Sequence, residues 1–296
     1  MRVINMLPDF VVIGAFKAGS TSLHHYFGQH PNVFMTKVKE PNFFAFDPNN
    51  KAHSEMNRQQ FMVSNLAGYE SLFEDARADQ IKGEVSPYYL YSSVALQRMK
   101  EVVPTIKMIA CLRNPVGRAY SHYLMRLRSG KETKSPSEAF TEDAFWVKAS
   151  MYADAIQSYR QMFSHDQLKF VLFDDLINDP RTLMSELFDF IGVDPTFQVN
   201  TEYRFNPGGT PKFPWLHDGL SALKRIPGLR RYTPPFIRNH LARIRDKNLA
   251  PAEVLAVDVQ QQWLRYYQDD ILRVQDILQL DLSCWLKVKA PRNQAI

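Results

Sequence analysis

The sequence predicts an α/β fold: a doubly wound, mainly parallel central β-sheet flanked by helices. Two observations carry this. Apolar runs of strand composition alternate with helix-period segments from Phe10 to about residue 191. The runs read as buried strands, and they end in loops that carry glycine, proline or charged residues, at the edge where a parallel sheet gathers its ligands.

The first element is Phe10-Val11-Val12-Ile13, which breaks at Gly14 into a short loop with a second glycine, Gly19. Ser20-Thr21-Ser22 then opens an amphipathic segment with Leu23, Tyr26 and Phe27 at helical spacing. Strand, turn and helix start together form an anion cradle, because the first-turn N–H groups lack intrahelical partners and the helix dipole points the same way. Lys17 sits within the loop. A nucleotide-triphosphate P-loop would place its lysine after the last glycine; here the order is Lys17, Gly19, Ser20, Thr21.

His30-Pro31-Asn32 marks a turn, and Val33-Phe34-Met35 a short second strand leading into Lys39-Glu40-Pro41-Asn42-Phe43-Phe44. Pro41 biases Glu40 toward an extended conformation, which would project its carboxylate beyond the strand end into the cleft that Lys17 lines. Residues 57–76 read as helical, and Gln80 to Pro87 as a third strand ending in a turn. Glu84 within it is a candidate to assist chemistry or to fix that turn through backbone N–H groups. Thr105 to Leu112 is a buried strand that ends in Arg113-Asn114-Pro115, and a helix follows with Ser121 two turns in. An arginine offers phosphate a planar donor fork, and a serine hydroxyl can take a further oxygen.

Helical patterns continue over 138–149 and 152–163. Leu168 to Asp175 reads as a strand ending in acids, with Asp174 and Asp175 as turn and cap residues, and Asp179-Pro180 starts another helix. Asn206-Pro207-Gly208-Gly209-Thr210-Pro211-Lys212 is a glycine loop. A final helix from near Pro251 to about residue 279 is expected to cover the sheet.

The whole chain has 296 residues, is 45% apolar and carries a net charge of +5, yet residues 212–247 alone carry nine Lys/Arg against Asp218 and Asp246. The basicity therefore belongs to one segment, which could steer an acidic acceptor or lie against anionic lipid. The organisation expected is one domain over residues 1–296 with a basic insert at about 205–250. Two cysteines, Cys111 and Cys284, offer neither a disulfide framework nor metal spacing. With no long apolar run and no leader pattern, the expectation is a cytoplasmic protein, with peripheral membrane contact open through 212–247.

Four signals stand in a fixed order: Phe16-Lys17-Ala18-Gly19-Ser20-Thr21-Ser22-Leu23, Lys39-Glu40-Pro41-Asn42-Phe43-Phe44, Gly83-Glu84-Val85-Ser86-Pro87, and Leu112-Arg113-Asn114-Pro115 running on to Ser121-His122-Tyr123. Over roughly residues 8–285 the chain resembles the sulfotransferases that use 3′-phosphoadenosine 5′-phosphosulfate (PAPS), particularly the heparan sulfate branch and its bacterial relatives. The resemblance implies a P-loop NTPase-like sheet. It also implies a 5′-phosphosulfate held by Phe16, Lys17, Ala18, Gly19, Ser20, Thr21 and Ser22, and a 3′-phosphate held by Arg113 and Ser121. It further implies a late loop with Gly208, Gly209 and Lys212 closing over the nucleotide, and Glu40 as general base. Val85 stands where the heparan sulfate branch usually has a lysine, and the disulfide loop of its secreted members is missing; both departures bear on the acceptor and leave the donor site intact.

Sulfuryl transfer builds negative charge on the leaving phosphate, which a lysine and surrounding N–H groups stabilise; Lys17 is the candidate for that role. The sulfuryl group carries less charge than a phosphoryl group, so the electrostatics require no metal. Glu40 would take the acceptor's proton, with Glu84 and histidines 24, 25, 53 and 122 as alternative bases. The expected partners are PAPS and an acceptor hydroxyl or amine on a glycan, another carbohydrate-containing molecule or a small molecule, with no nucleic acid. Two other readings compete. A P-loop nucleotide or small-molecule kinase would use Asp174 or Asp175 for Mg²⁺ and lose activity in EDTA. A non-catalytic basic binding module would bind in a salt-dependent way without turnover.

Overall fold

The computed structural model describes residues 6–47, 63–202, 210–211, 249–250 and 255–288. Its centre is β1 (Phe10–Gly14), every residue of which is buried. β2 (Val33–Met35), β3 (Ile81–Val85), β4 (Lys107–Leu112) and β5 (Leu168–Leu172) complete a five-stranded sheet in the order β2-β3-β1-β4-β5, with every neighbouring pair parallel. A strand buried on both faces needs continuous apolar residues, which Phe10 to Ile13 supply. The chain leaves β1 toward one side and later crosses to the other, so the loop after β1 lies at the switch point where such sheets bind ligands.

Register is tight beside β1. Phe10 pairs with Gly83 on β3, and a Cβ at Gly83 would stand 2.2 Å from the Phe10 ring. Only glycine allows that ring to cross the neighbouring strand. Asp9 fixes the strand starts: its carboxylate accepts from both the Lys82 backbone N–H at 2.7 Å and the Lys82 Nζ at 2.9 Å.

α1 (Ser20–Phe27) buries Leu23, Tyr26 and Phe27. Short helices α2 (Leu66–Glu70) and α3 (Ser93–Val102) precede α4 (Pro115–Arg128). Asn114 caps α4 by accepting from Gly117 N–H at 3.0 Å, with Pro115 at the first helical position. After α5 (Pro136–Ala139), α6 (Phe145–Lys148) and α7 (Ala153–Met162), α8 (Phe173–Asn178) and α9 (Pro180–Ile191) flank β5. β6 (Thr210–Pro211) and β7 (Leu249–Ala250) form a separate antiparallel pair, so the chain on either side of the basic stretch meets at one point. α10 (Val257–Leu278) is the long final helix.

The elements differ from expectation in five places. Residues 138–149 are not one helix: α5 and α6 are separated because the Phe140 ring turns inward and stacks on Trp263 at 4.3 Å. β5 stops at Leu172, and Asp174 and Asp175 lie in the first turn of α8, where carboxylates complement the positive end of the helix. Of the expected helix over 57–76, residues 57–62 lie outside the described residues, and the rest is α2 followed by a 3₁₀ turn, Ser71–Phe73. The final helix is described from Val257 onward and rests chiefly on α4 and α7, as a further layer over helices instead of on the strands. Its Asp270 accepts from the backbone N–H of Tyr152 at 2.7 Å and Ala153 at 3.0 Å, which caps α7. The fifth difference, the conformation of Glu40, belongs to the site.

Candidate active site

The loop after β1 is shaped by two left-handed residues, Lys17 with φ 63° and Gly19 with φ 86°. At Gly19 a Cβ would approach Leu176 Cδ2 to 2.3 Å, so glycine is required twice, by backbone and by space. Leu23 N–H makes the first helical bond, to Gly19 O at 3.0 Å, which leaves the N–H groups of Ser20, Thr21 and Ser22 facing out of the helix start. Non-glycine residues in left-handed conformation are costly and gather where a side chain must be aimed. Lys17 is such a residue.

The Lys17 ammonium is pushed down to about 8, first by burial and then by Arg128, Arg113, Lys39 and Arg118. Positive charge is therefore concentrated at this strand edge. Arg113, at the end of β4, donates from Nη1 to the Lys17 carbonyl at 2.9 Å and lies over the Phe173 ring at 4.6 Å. A Cβ on Gly117 would sit 3.5 Å from Arg113 Nε, and Ser121 is one turn further along that face of α4. The loop, Arg113 and the Ser121 face of α4 are thus assembled around one strand edge.

Phe16 stacks on Tyr91 with ring centroids 5.3 Å apart and meets Phe145 at 6.1 Å and His122 at 6.3 Å. Ala18 is fully buried. Beside this aromatic cluster, a cavity of about 300 Å³ is lined by His122, Arg126, Lys134, Phe145 and Trp146, with Glu132 and Glu138 also on its wall. Phe145 and His122 are shared by cavity and cluster.

Glu40 lies in the loop after β2, in a conformation that differs from the extended one expected. Its φ is 57°, left-handed and not extended, because its N–H turns back to donate to Val85 O at the end of β3, 3.1 Å away. Lys39 joins the two loops: its Nζ lies 2.6 Å from Thr21 Oγ1 and 3.2 Å from Glu40 Oε1. The Glu40 side chain remains 39% exposed, enough to meet a ligand from solution.

Glu84 is fully buried, and the groups that hold it are not backbone N–H donors. Tyr69 and Tyr89 hydroxyls donate to Oε1, each at 2.8 Å, and Ser86 Oγ donates to Oε2 at 2.7 Å. His24 Nε2 is 3.0 Å from Thr36 O, and burial lowers the pKa of both His24 and His25. Burial, with Arg118, Lys17 and Arg126 nearby, takes His122 down to about 3, where it is a poor base. His53, Gly208, Gly209, Lys212 and the rest of the basic segment 212–247 lie outside the described residues. Among the described residues there is no group of three or more His, Cys, Asp or Glu arranged to hold a metal, and no helix is long and apolar enough to cross a membrane.

Sequence reasoning missed Lys39 as a bridge, Phe173 as the surface beneath Arg113, and Arg118. Arg118 is fully buried, donating to Ser150 Oγ at 2.6 Å and to the Trp146 carbonyl. Adjacency of Lys39 to Glu40 was the one available signal.

A buried lysine in a strand-to-helix loop, with an arginine at the end of the neighbouring strand, gathers positive charge at one edge of a parallel α/β sheet. The sulfotransferase domain family matches residues 7–205, and the chain belongs to that family. It is 28% identical over 219 residues to human heparan sulfate glucosamine 3-O-sulfotransferase 6, covering 71% of this chain and 58% of that protein. It is 28% identical over 226 residues to mouse bifunctional heparan sulfate N-deacetylase/N-sulfotransferase 4, covering 70% of this chain and 24% of that protein. The chain thus spans little more than half the length of the first relative and a quarter of the second. The crystal structure of a sulfotransferase from Alicyclobacillus acidocaldarius superposes with a TM-score of 0.66 at 23% identity, covering 95% of this chain and 99% of that one, and shows the same fold. Family membership goes against the kinase reading.

Proposed function

We propose that the chain transfers a sulfuryl group from PAPS to a hydroxyl or amine of an acceptor, with a glycan or other carbohydrate-containing molecule favoured over a small metabolite. The observation that carries this reading is the buried Lys17 at a strand-to-helix loop, surrounded by Arg113, Arg118, Arg128 and Lys39. A polyanionic donor fits that charge: its 5′ end would meet the N–H groups of Ser20, Thr21 and Ser22, and its 3′-phosphate would meet Arg113 and Ser121. The relatives named for heparan sulfate sulfotransfer support the glycan acceptor.

In this reading PAPS supplies an activated sulfuryl group whose departure leaves charge on the 5′-phosphate. Lys17 donates toward the bridging oxygen and stabilises that charge. The Arg113 bond to the Lys17 carbonyl keeps the loop in place while this happens. Glu40, exposed beside Lys39, accepts the proton of the incoming hydroxyl. Glu84 cannot share that task, because three hydroxyls enclose it. The cavity bordered by His122 and Phe145 offers the acceptor aromatic and polar walls beside the Lys17 loop.

Incubating the protein with radiolabelled PAPS and cell extract, in EDTA, tests the proposal, with Lys17→Ala as the blank. Label appearing in an extract component only with the wild-type chain is the expected result. Equal labelling by both proteins, or none, overturns it.

A further inference from the structure

Glu84 is the most completely buried acid near the site, and the reaction outlined above gives it no task. An unpaired carboxylate is costly to bury, so its retention needs a physical reason. Its three partners supply one. A carboxylate is an acceptor only, so it draws the hydrogens of Tyr69, Tyr89 and Ser86 toward itself and leaves lone pairs of two of those oxygens facing outward. Ser86 Oγ then accepts from Asn42 N–H at 3.2 Å, and Tyr89 Oη accepts from Phe44 N–H at 3.3 Å. Both backbone groups belong to the loop that carries Glu40.

Packing continues the same connection. Phe43 stacks on Tyr69 at 4.3 Å, and Phe44 meets Tyr69 edge-on at 5.2 Å. From the far side, Arg98 lies over the Phe43 ring at 4.5 Å and donates to Phe43 O at 2.6 Å and Phe46 O at 2.8 Å. Within this clamp the chain holds two left-handed non-glycine residues, Glu40 and Asn42. Such a conformation persists only where its surroundings over-determine it.

Resting on the sulfuryl-transfer reading, we propose that Glu84 is a positioning residue: through Ser86 and Tyr89 it fixes the backbone at 42–44, and with it the turn that aims Glu40 at the acceptor. Glutamine cannot substitute freely. Its amide presents donors where the hydroxyls already donate, so at least one hydroxyl must rotate and release its hold on the loop. The groups facing Glu84 are the hydroxyls of Tyr69, Tyr89 and Ser86. Burial lifts Glu84 to about 7 against the pull of the three hydroxyls.

Glu84→Gln in the full chain tests this with three measurements. Amide hydrogen exchange at Asn42 and Phe44 should rise by about tenfold or more, as expected for a lost buried hydrogen bond. Calorimetric affinity for adenosine 3′,5′-bisphosphate should stay within about twofold, because Lys17 and Arg113 are untouched. Sulfuryl transfer from radiolabelled PAPS to extract should fall by about tenfold or more in maximal rate, with KM for PAPS unchanged. If Glu84→Gln does not fold, Tyr89→Phe removes the bond to Phe44 N–H while keeping the carboxylate and most of the volume. Unchanged exchange at the loop, or a loosened loop with undiminished transfer, overturns the role of Glu84. A wild-type chain that transfers nothing overturns the sulfuryl-transfer reading instead, so the two failures are told apart.

Discussion

Two loops meet at the carboxyl edge of the sheet, and they are held by opposite means. The loop after β1 is crowded with cations: Lys17 is buried among arginines, and its carbonyl is tied to Arg113. The loop after β2 is held by neutral hydroxyls and stacked rings gathered around one buried carboxylate, leaving Glu40 exposed at its rim. Lys39 joins them through Thr21. The difference shows how one sheet edge can gather cations on one side and hold a partly exposed carboxylate on the other. One loop concentrates positive charge, whereas the other holds its backbone with an electrically quiet clamp and leaves Glu40 at the rim, paired to Lys39 and still partly exposed.

Removing the cation from the first loop should have the largest effect. Lys17→Ala is expected to lower sulfuryl transfer from radiolabelled PAPS by about 10²–10³-fold, the loss typical when a donor to developing charge is deleted. Glu40→Gln breaks the second loop's contribution alone. Transfer should fall by roughly 10²-fold, while calorimetric affinity for adenosine 3′,5′-bisphosphate stays unchanged. A parallel loss of nucleotide affinity would mean that the two loops are not separable.

A pH series sharpens the contrast. Lys17 is charged below about 8 and neutral above it, so affinity for the bisphosphate should be steady up to that pH and then fall by at most about tenfold per unit. In Lys17→Met that inflection should vanish. The smallest effect is expected at the cap that sets Arg113 in place. Asn114 accepts from Gly117 N–H and donates to Trp285 O at 3.1 Å, and Asn114→Ala should cost about 1 kcal/mol of stability in denaturant titration.

Much of this architecture was legible because it is local. β1 and β4 are apolar runs with no alternative burial, and Asn114-Pro115 is a cap and first-turn proline in adjacent positions. The four motifs that carry the family resemblance could be read for the same reason, each being a contiguous run. What could not be read depends on distant residues. Pro41 alone argues for an extended Glu40, but the Val85 carbonyl, far along the chain, pulls its N–H into a left-handed turn. Phe140 interrupts a helical pattern because Trp263 offers it a stacking partner more than a hundred residues later. Glu84 reads in sequence as an acid that either assists chemistry or fixes its turn, and nothing near it announces that Tyr69 arrives to complete its enclosure.

The claim on which the rest depends is that the cations around Lys17 and Arg113 form a site for a 3′,5′-phosphorylated nucleotide. Calorimetric titration of the full chain with adenosine 3′,5′-bisphosphate in EDTA, repeated with Arg113→Ala, tests it most directly. The account predicts binding at one site without metal, weakened by about tenfold or more in the variant. No binding by the wild-type chain, or equal binding by both, would contradict it.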